Sequence, residues 1–236
     1  MKASFPLLRA LAAPALCALG YWLGVAQGPF PAAAAGGLGL LLFGAAAAKR
    51  DTAIVCFLLA GGLMLALAFG LVPGFSRLPL WGASIHSAKA LAGLAAVAMF
   101  PSPFKWNAKA TAGALLTLVS VPALAWWFKQ VHWAPAGLAV LGAFAVANLF
   151  STIAEEWFFR RWIQQPLAGV VGQALALLAT AALFGLVHYQ QGTTFMALAA
   201  LAGLGYGAVF WLTGSIWAAV ALHWVLNLLR VAMFGL

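Results

Sequence analysis

The hydrophobic positions of this chain form long, nearly unbroken runs instead of alternating with polar ones. A helix needs about 20 mainly apolar residues to cross the hydrocarbon core of a bilayer. On that length scale the sequence predicts nine candidate spans. They cover about residues 7–26, 31–48, 53–72, 85–101, 110–128, 136–156, 166–189, 194–212 and 214–232. The fourth segment is short and contains Lys89, so eight full spans are an alternative.

Composition supports a membrane protein. Hydrophobic residues make up 66% of the 236 positions and charged residues only 6%, whereas a soluble domain carries about 25% charged residues. We therefore expect an all-α fold, a polytopic membrane helical bundle with 8–9 transmembrane helices in a lipid bilayer. The net charge of +9 comes from basic residues spread thinly between apolar runs. No basic cluster with interleaved aromatics occurs, so we expect no nucleic-acid partner.

The basic residues also predict an orientation. With the N-terminus inside, eight of the twelve fall in inner segments and four in outer ones, which favours a cytoplasmic N-terminus. The Ala-, Trp- and Leu-rich composition and compact length favour a multi-pass protein of a bacterial inner membrane. The inner residues are Lys2, Arg9, Lys49, Arg50, Lys105, Lys109, Arg160 and Arg161, and the outer ones are Arg77, Lys89, Lys129 and Arg230.

Acidic residues are rare, and two of the three are adjacent, Glu155 and Glu156. They follow an apolar run, and a carboxylate at membrane depth costs at least a few kcal/mol, which marks it as a candidate functional group. Glu156 and Arg160 are four apart, so they can form an ion pair on one helix face. Glu155 is turned by about 100° from Glu156. One carboxylate can therefore be neutralised while the other faces a cavity.

Two further pairs with a spacing of four lie in later spans: Phe184 with His188, and His223 with Asn227. Residues four apart share one helix face. A Glu and a His acting on one water make a general base, and a further His and Asn can donate hydrogen bonds to an oxyanion. Each residue alone also has a structural interpretation, such as core packing for the aromatic ring. Together they indicate hydrolysis of an amide by activated water.

The ordered motifs Glu-Glu-x-x-x-Arg, Phe-x-x-x-His and His-x-x-x-Asn resemble those of the CAAX protease and bacteriocin-processing family (CPBP, or Abi). The chain is similar in outline to the Ras-converting CAAX endopeptidase. The resemblance covers about residues 136–232. It implies an intramembrane endopeptidase of the glutamate type whose active site lies among the last four helices.

The resemblance also implies a role for each matching position. Glu155 and His188 would activate the water, and His223 and Asn227 would form the oxyanion site. The family implies no metal cofactor. The supporting residues would be Glu156 and Arg160, which hold the motif helix, and Phe184, which packs at the wall. A Glu and two His can also ligate zinc, so zinc at Glu155, His188 and His223 is the alternative.

Other classes of intramembrane protease lack their motifs here. His-Glu-x-x-His is absent, Asp51 is the single aspartate, and no Gly-x-Ser-Gly nucleophile occurs. We expect residues 1–130 to be scaffold helices and 131–236 to be the catalytic core, in one structural unit. The expected partner is a peptide or protein substrate at the membrane, including a C-terminal tail. The alternative is a non-catalytic membrane protein: an immunity factor, a scaffold or a proton-coupled transporter.

Overall fold

Helices dominate the structure, a computed structural model that describes residues 4–235. Within that range the sheet content is one two-stranded antiparallel hairpin. The first ten elements are α1 (Ser4–Ala10), α2 (Ala12–Trp22), α3 (Pro29–Ala47), α4 (Arg50–Ala68), β1 (Arg77–Leu80), β2 (Ala83–His86), α5 (Ser87–Met99), α6 (Ala108–Trp127), α7 (Leu138–Glu156) and a π segment (Trp157–Gln164). There follow α8 (Gln165–Val171), α9 (Gln173–Leu186), a 3₁₀ turn (Tyr189–Gln191), α10 (Thr193–Thr213) and α11 (Ile216–Phe234).

The all-α polytopic bundle is confirmed, since each predicted apolar segment contains a helix. In the described part of the chain, six helices are long and apolar enough to cross a membrane, and α5 and α9 are shorter apolar helices. The first predicted span is divided at Leu11 into α1 and α2. The fourth is α5, whose 13 residues correspond to about 20 Å, shorter than the bilayer core. A total of eight or nine spans stays a prediction.

One boundary differs from the prediction. The sixth span does not end at Glu156, because α7, the π segment and α8 form one continuous helix of 34 residues, Leu138–Val171. The expected break at the charged stretch is absent because Arg160 is fully buried and paired with Glu156. The chain breaks instead at Gly172, whose φ of 84° favours glycine. The seventh predicted span therefore corresponds to α9 alone.

The chain divides into two compact units. The first extends to Pro101 and includes Ile153–Glu155. In it, α3 packs against α4, and α2 packs against both α3 and α5. Small residues allow these helices to approach closely: a Cβ on Gly39 would lie 2.7 Å from the carbonyl oxygen of Ala10. The hairpin leads directly into α5, which carries Lys89.

The second unit comprises Ser102–Thr152 and the chain from Glu156 onward. Its central helix is α10, which packs against α9, α6 and α11. Asn107 caps the start of α6, with Oδ1 accepting from the amide of Ala110 at 2.9 Å. The predicted division at residue 130, with catalytic function after it, stays a prediction.

Candidate active site

Glu156, in the second unit, is a fully buried carboxylate with two partners. Arg160 Nε donates to its Oε2 at 2.7 Å, and His223 Nδ1 lies 2.8 Å from its Oε1. Arg160 is also fully buried. A buried charge is strongly unfavourable unless it is paired and hydrogen-bonded. The carboxylate therefore joins the first motif to the third across 67 residues of sequence.

The Glu156–Arg160 pair belongs to a ladder of side chains at intervals of four. Arg160 Nη1 donates to Gln164 Oε1 at 3.1 Å, and Gln164 Nε2 donates to the carbonyl of Gly207 at 3.0 Å. A Cβ on Gly207 would lie 2.7 Å from Gln164 Oε1 and 2.9 Å from Arg160 Nη1. The ladder begins at the last residue of α7 and continues along the π segment, and π-helical turns are frequent at functional sites. A side chain at this position of α10 would have to displace the ends of these two side chains.

His223 is held between aromatic rings. Tyr206 stacks on it with ring centroids 4.4 Å apart, and Phe184 meets it edge-on at 5.6 Å. Because a carboxylate only accepts hydrogen bonds, Nδ1 of His223 carries the proton directed at Glu156. Nε2 is then the ring nitrogen left for another partner. Donation from Nε2 to an oxyanion requires the doubly protonated ring, whose charge would face the Glu156 carboxylate.

His188 follows α9 and is half-buried. Its Nδ1 lies 2.7 Å from the carbonyl oxygen of Phe184. A carbonyl only accepts, so Nδ1 donates and Nε2 of the neutral ring can accept a proton. The rings of Phe184 and His188 are also in contact, with centroids 5.1 Å apart. Phe184 thus contacts both histidines and, at 5.8 Å, the guanidinium of Arg160.

Asn227 lies one helical turn after His223 on α11 and is oriented by Asn148 of α7. Its Nδ2 donates to Asn148 Oδ1 at 3.1 Å. Thr152 Oγ1 donates to the same oxygen, also at 3.1 Å. An amide nitrogen has two hydrogens. One N–H of Asn227 is engaged by Asn148, and the second can be directed at an oxyanion.

Glu155 belongs to the first unit and makes an ion pair there. Its Oε1 lies 2.9 Å from Nζ of Lys89 on α5. The two side chains keep 25% and 23% of their surface exposed, in contrast to the complete burial of Glu156. The neighbouring carboxylates therefore differ in environment, as their rotation along the helix predicts: one is enclosed by Arg160 and His223, and the other is partly accessible.

The predicted Glu156–Arg160 ion pair and the contact of Phe184 with His188 are confirmed. The catalytic and supporting roles stay predictions. Three partners of motif residues, Lys89, Asn148 and Gln164, were not predicted from the sequence. The sequence does mark these residues as unusual: Lys89 is a charge inside an apolar segment, and Asn148 and Gln164 are polar residues on the helix that carries Glu155 and Glu156.

The cofactor prediction, with its zinc alternative at Glu155, His188 and His223, stays a prediction. Within residues 4–235 no group of three or more His, Cys, Asp or Glu side chains is arranged to hold a metal ion. His223 directs one ring nitrogen at Glu156, so a single nitrogen would be left for a metal.

The fold and this cluster define a polytopic helical membrane protein with an intramembrane site of ionisable residues. Residues 136–229 match the protein-family model described as Rce1-like, Type II CAAX prenyl endopeptidase Rce1-like. Residues 136–229 therefore form an Rce1-like CAAX protease domain, the family predicted from the three motifs. This family supports a CAAX endopeptidase-type protease with a protein substrate at the membrane. A search of curated proteins and a search of solved structures each gave no match.

Proposed function

We propose that the protein is an intramembrane endopeptidase of the glutamate type that cleaves the C-terminal tail of a membrane-associated protein. The observation that carries the proposal is the fully buried Glu156 carboxylate, bonded to Arg160 and His223 at 2.7 and 2.8 Å. It ties the family's first and third motifs together by charge. Its neighbour Glu155 keeps partial exposure, as expected of a base that meets water.

In the proposed reaction, Glu155 with His188 takes a proton from water, and the water oxygen bonds to the scissile carbonyl carbon. The carbonyl electrons move onto its oxygen, which accepts hydrogen bonds from His223 and Asn227. Collapse of this intermediate breaks the C–N bond, and the proton held by the base passes to the leaving amine. The hydrogen bond from Asn227 to Asn148 supports the donor role of Asn227. The Glu156 carboxylate beside His223 supports the doubly protonated ring that donation from Nε2 requires.

We further propose an N-terminus on the cytoplasmic side of a bacterial inner membrane. Arg160 and Lys89 are paired with carboxylates, so we do not count them among the basic residues that indicate orientation. Seven inner and three outer basic residues then remain, which still favours this orientation. The description of the matched family, a prenyl endopeptidase, makes a prenylated C-terminal tail the first substrate to test.

The test uses the purified protein in liposomes with two quenched fluorescent peptides of identical sequence, one farnesylated on a cysteine near its C-terminus and one not. We expect cleavage by wild type and a loss of about 100-fold or more in Glu155→Gln, the range for removal of a general base. Asp51→Asn is the matched control, because Asp51 is the remaining acidic residue and is exposed on α4. Mass spectrometry of the products identifies the cleaved bond.

Cells supply a second assay that needs no chosen substrate. A membrane-proteome comparison of wild type, Glu155→Gln and Asp51→Asn should show a precursor that accumulates in the Glu155 variant alone. Equal cleavage by wild type and Glu155→Gln would refute the glutamate mechanism. Proton-coupled solute flux in the same liposomes, without cleavage of either peptide, would favour a transporter instead. Chelator inhibition reversed by zinc would favour the metal alternative.

A further inference from the structure

Lys89 lies outside the segment that matches the protease family, yet it contacts the proposed base directly. Its Nζ is 2.9 Å from Glu155 Oε1, and 66 residues separate the two in sequence. The family match begins only at residue 136, so the three motifs do not account for Lys89. A lysine inside an apolar helix is costly in a membrane and is expected to serve a purpose there.

The backbone around Lys89 is fixed at several points in the first unit. One turn further along α5, Gly93 approaches Ala154, where an added Cβ would lie 2.8 Å from the Ala154 Cα. At the start of α5 the amide of Lys89 donates to Nδ1 of His86 at 3.4 Å, and Ser87 Oγ donates to the carbonyl of Ser76 at 2.5 Å. The helix therefore cannot slide along the residues that precede Glu155 without breaking these contacts.

A carboxylate acting as a base has to be ionised and correctly aimed. In a medium of low dielectric constant an isolated carboxylate loses its charge by taking up a proton, whereas an ammonium at hydrogen-bonding distance stabilises the charged form. Lys89 supplies that charge at one carboxylate oxygen, Oε1. On these grounds we propose that Lys89 is a positioning residue, which keeps Glu155 ionised and oriented for catalysis.

A role for Lys89 as the receptor for a substrate's terminal carboxylate fits less well. Three extended residues span about 10 Å, so the terminus of a substrate cleaved near its end lies far from the base, whereas Lys89 contacts the base itself. The inference rests on the proposed function, because Glu155 has to be the base. It adds the prediction that catalysis depends on a residue of the first unit.

The test compares Lys89→Met, Lys89→Arg and the control Lys49→Met in liposomes, using the peptide that wild type cleaves. Lys49 is an exposed lysine of the same unit. We expect Lys89→Met to lower kcat by about tenfold or more, yet by less than removal of the base itself. KM should stay within about twofold, because Lys89 acts through Glu155 and not on substrate. Lys89→Arg should recover most of kcat, and Lys49→Met should behave as wild type.

Chemical rescue separates charge from packing. Lys89→Cys is made in a Cys17→Ala and Cys56→Ala background, which removes both native cysteines, and is then aminoethylated to restore an ammonium at nearly the same reach. Recovery of kcat is the expected result. Unchanged kcat in Lys89→Met, no rescue by arginine or aminoethylation, or a loss explained by less folded protein would each overturn the proposal.

A stability cycle distinguishes failure of this inference from failure of the proposed function. Melting temperatures are measured for Lys89→Met, Glu155→Gln and the double variant. The double variant should be more stable than Lys89→Met, in which the Glu155 carboxylate has lost the ammonium of Lys89. If wild type cleaves no peptide, the proposed function fails and the positioning role with it, while the cycle still reports the ion pair. If wild type is active and Lys89→Met equally so, only the positioning role fails.

Discussion

Glu156 and His223 are joined by a contact of 2.8 Å between a fully buried carboxylate and a histidine ring that is almost as deeply buried. The same carboxylate accepts from Arg160, so removing it leaves a guanidinium buried without its anion. Breaking one side of such a pair costs about 3–5 kcal/mol. We expect Glu156→Gln to lower the melting temperature in detergent strongly.

The matched variant for this effect is Glu156→Gln combined with Arg160→Met, which removes both charges. It should recover part of the lost stability, since replacing a buried pair by apolar groups is often neutral. Both variants should be impaired in peptide cleavage, because His223 loses the carboxylate charge that stabilises its doubly protonated ring. A double variant less stable than either single one would contradict this account of the cluster.

Asn148 is expected to affect catalysis through Asn227. Asn148→Ala removes the oxygen that accepts from the Asn227 amide at 3.1 Å. The second N–H of Asn227 is then no longer directed at the oxyanion. Loss of one oxyanion donor costs about 10²–10³ in kcat, and we expect a smaller loss, about tenfold, for disorienting it. Steady-state cleavage assays test this. Val146→Ala, at an exposed position of the same helix, should leave kcat unchanged.

Gly93 is expected to tolerate no side chain. A methyl group there would lie 2.8 Å from both Cα and N of Ala154, so Gly93→Ala forces α5 away from the residues that precede Glu155. Overpacking of this kind costs about 1–3 kcal/mol, and displacement of Lys89 should lower cleavage as well. Gly62→Ala on α4, where an added Cβ meets nothing within 4 Å, should be neutral or stabilising, as alanine is the better helix former. Equal effects of Gly93→Ala and Gly62→Ala on melting temperature and kcat would contradict the close approach of Gly93 to Ala154.

His86 makes the start of α5 sensitive to pH. Burial, together with the charges of Lys89 and Arg77, lowers the pKa of His86 below its ordinary 6.5. The folded protein therefore favours the neutral ring, whose Nδ1 accepts from the Lys89 amide. This contribution to stability is fully present above about pH 6.5 and falls as the pH drops through that value towards the lower folded pKa.

The measurement compares melting temperatures at about pH 7.5 and about pH 5 for wild type and His86→Asn. Asparagine can accept the same capping bond and does not titrate. The variant should lose less stability on acidification than wild type. Identical losses in the two proteins would show that the other histidines, not His86, account for the pH dependence.

Much of the helical plan could be predicted from hydrophobic run length, because each span has to satisfy its backbone within the bilayer. The pairing of Glu156 with Arg160 was also predictable, since it depends only on local helical spacing. The continuation of α7 past Glu156 was not, because buried and solvated arginines look alike in a sequence. Whether Arg160 ends a helix depends on its partners.

The partners of Glu155 and Asn227 were out of reach for a related reason. Lys89 is 66 residues from Glu155 and Asn148 is 79 from Asn227, and helical periodicity carries no information between helices. The sequence marked Lys89 as an unusual charge, yet only the packing of α5 at Gly93 shows which carboxylate it meets. Contacts within one helix are therefore predictable here, and contacts between helices are not.

The continuous helix Leu138–Val171 bears on how water reaches the reaction. Its 34 residues extend about 50 Å, whereas the hydrocarbon core of a bilayer is about 30 Å thick. To lie entirely within that core the helix would have to tilt by more than the range of about 0–40° seen for membrane helices. Part of it must project beyond the hydrocarbon. A helix that enters at Leu138 reaches Glu156 after about 27 Å, close to the opposite boundary. A hydrolase must admit one reactant from the aqueous phase and the other from lipid, and a helix that enters at Leu138 would place the carboxylates where the two phases meet.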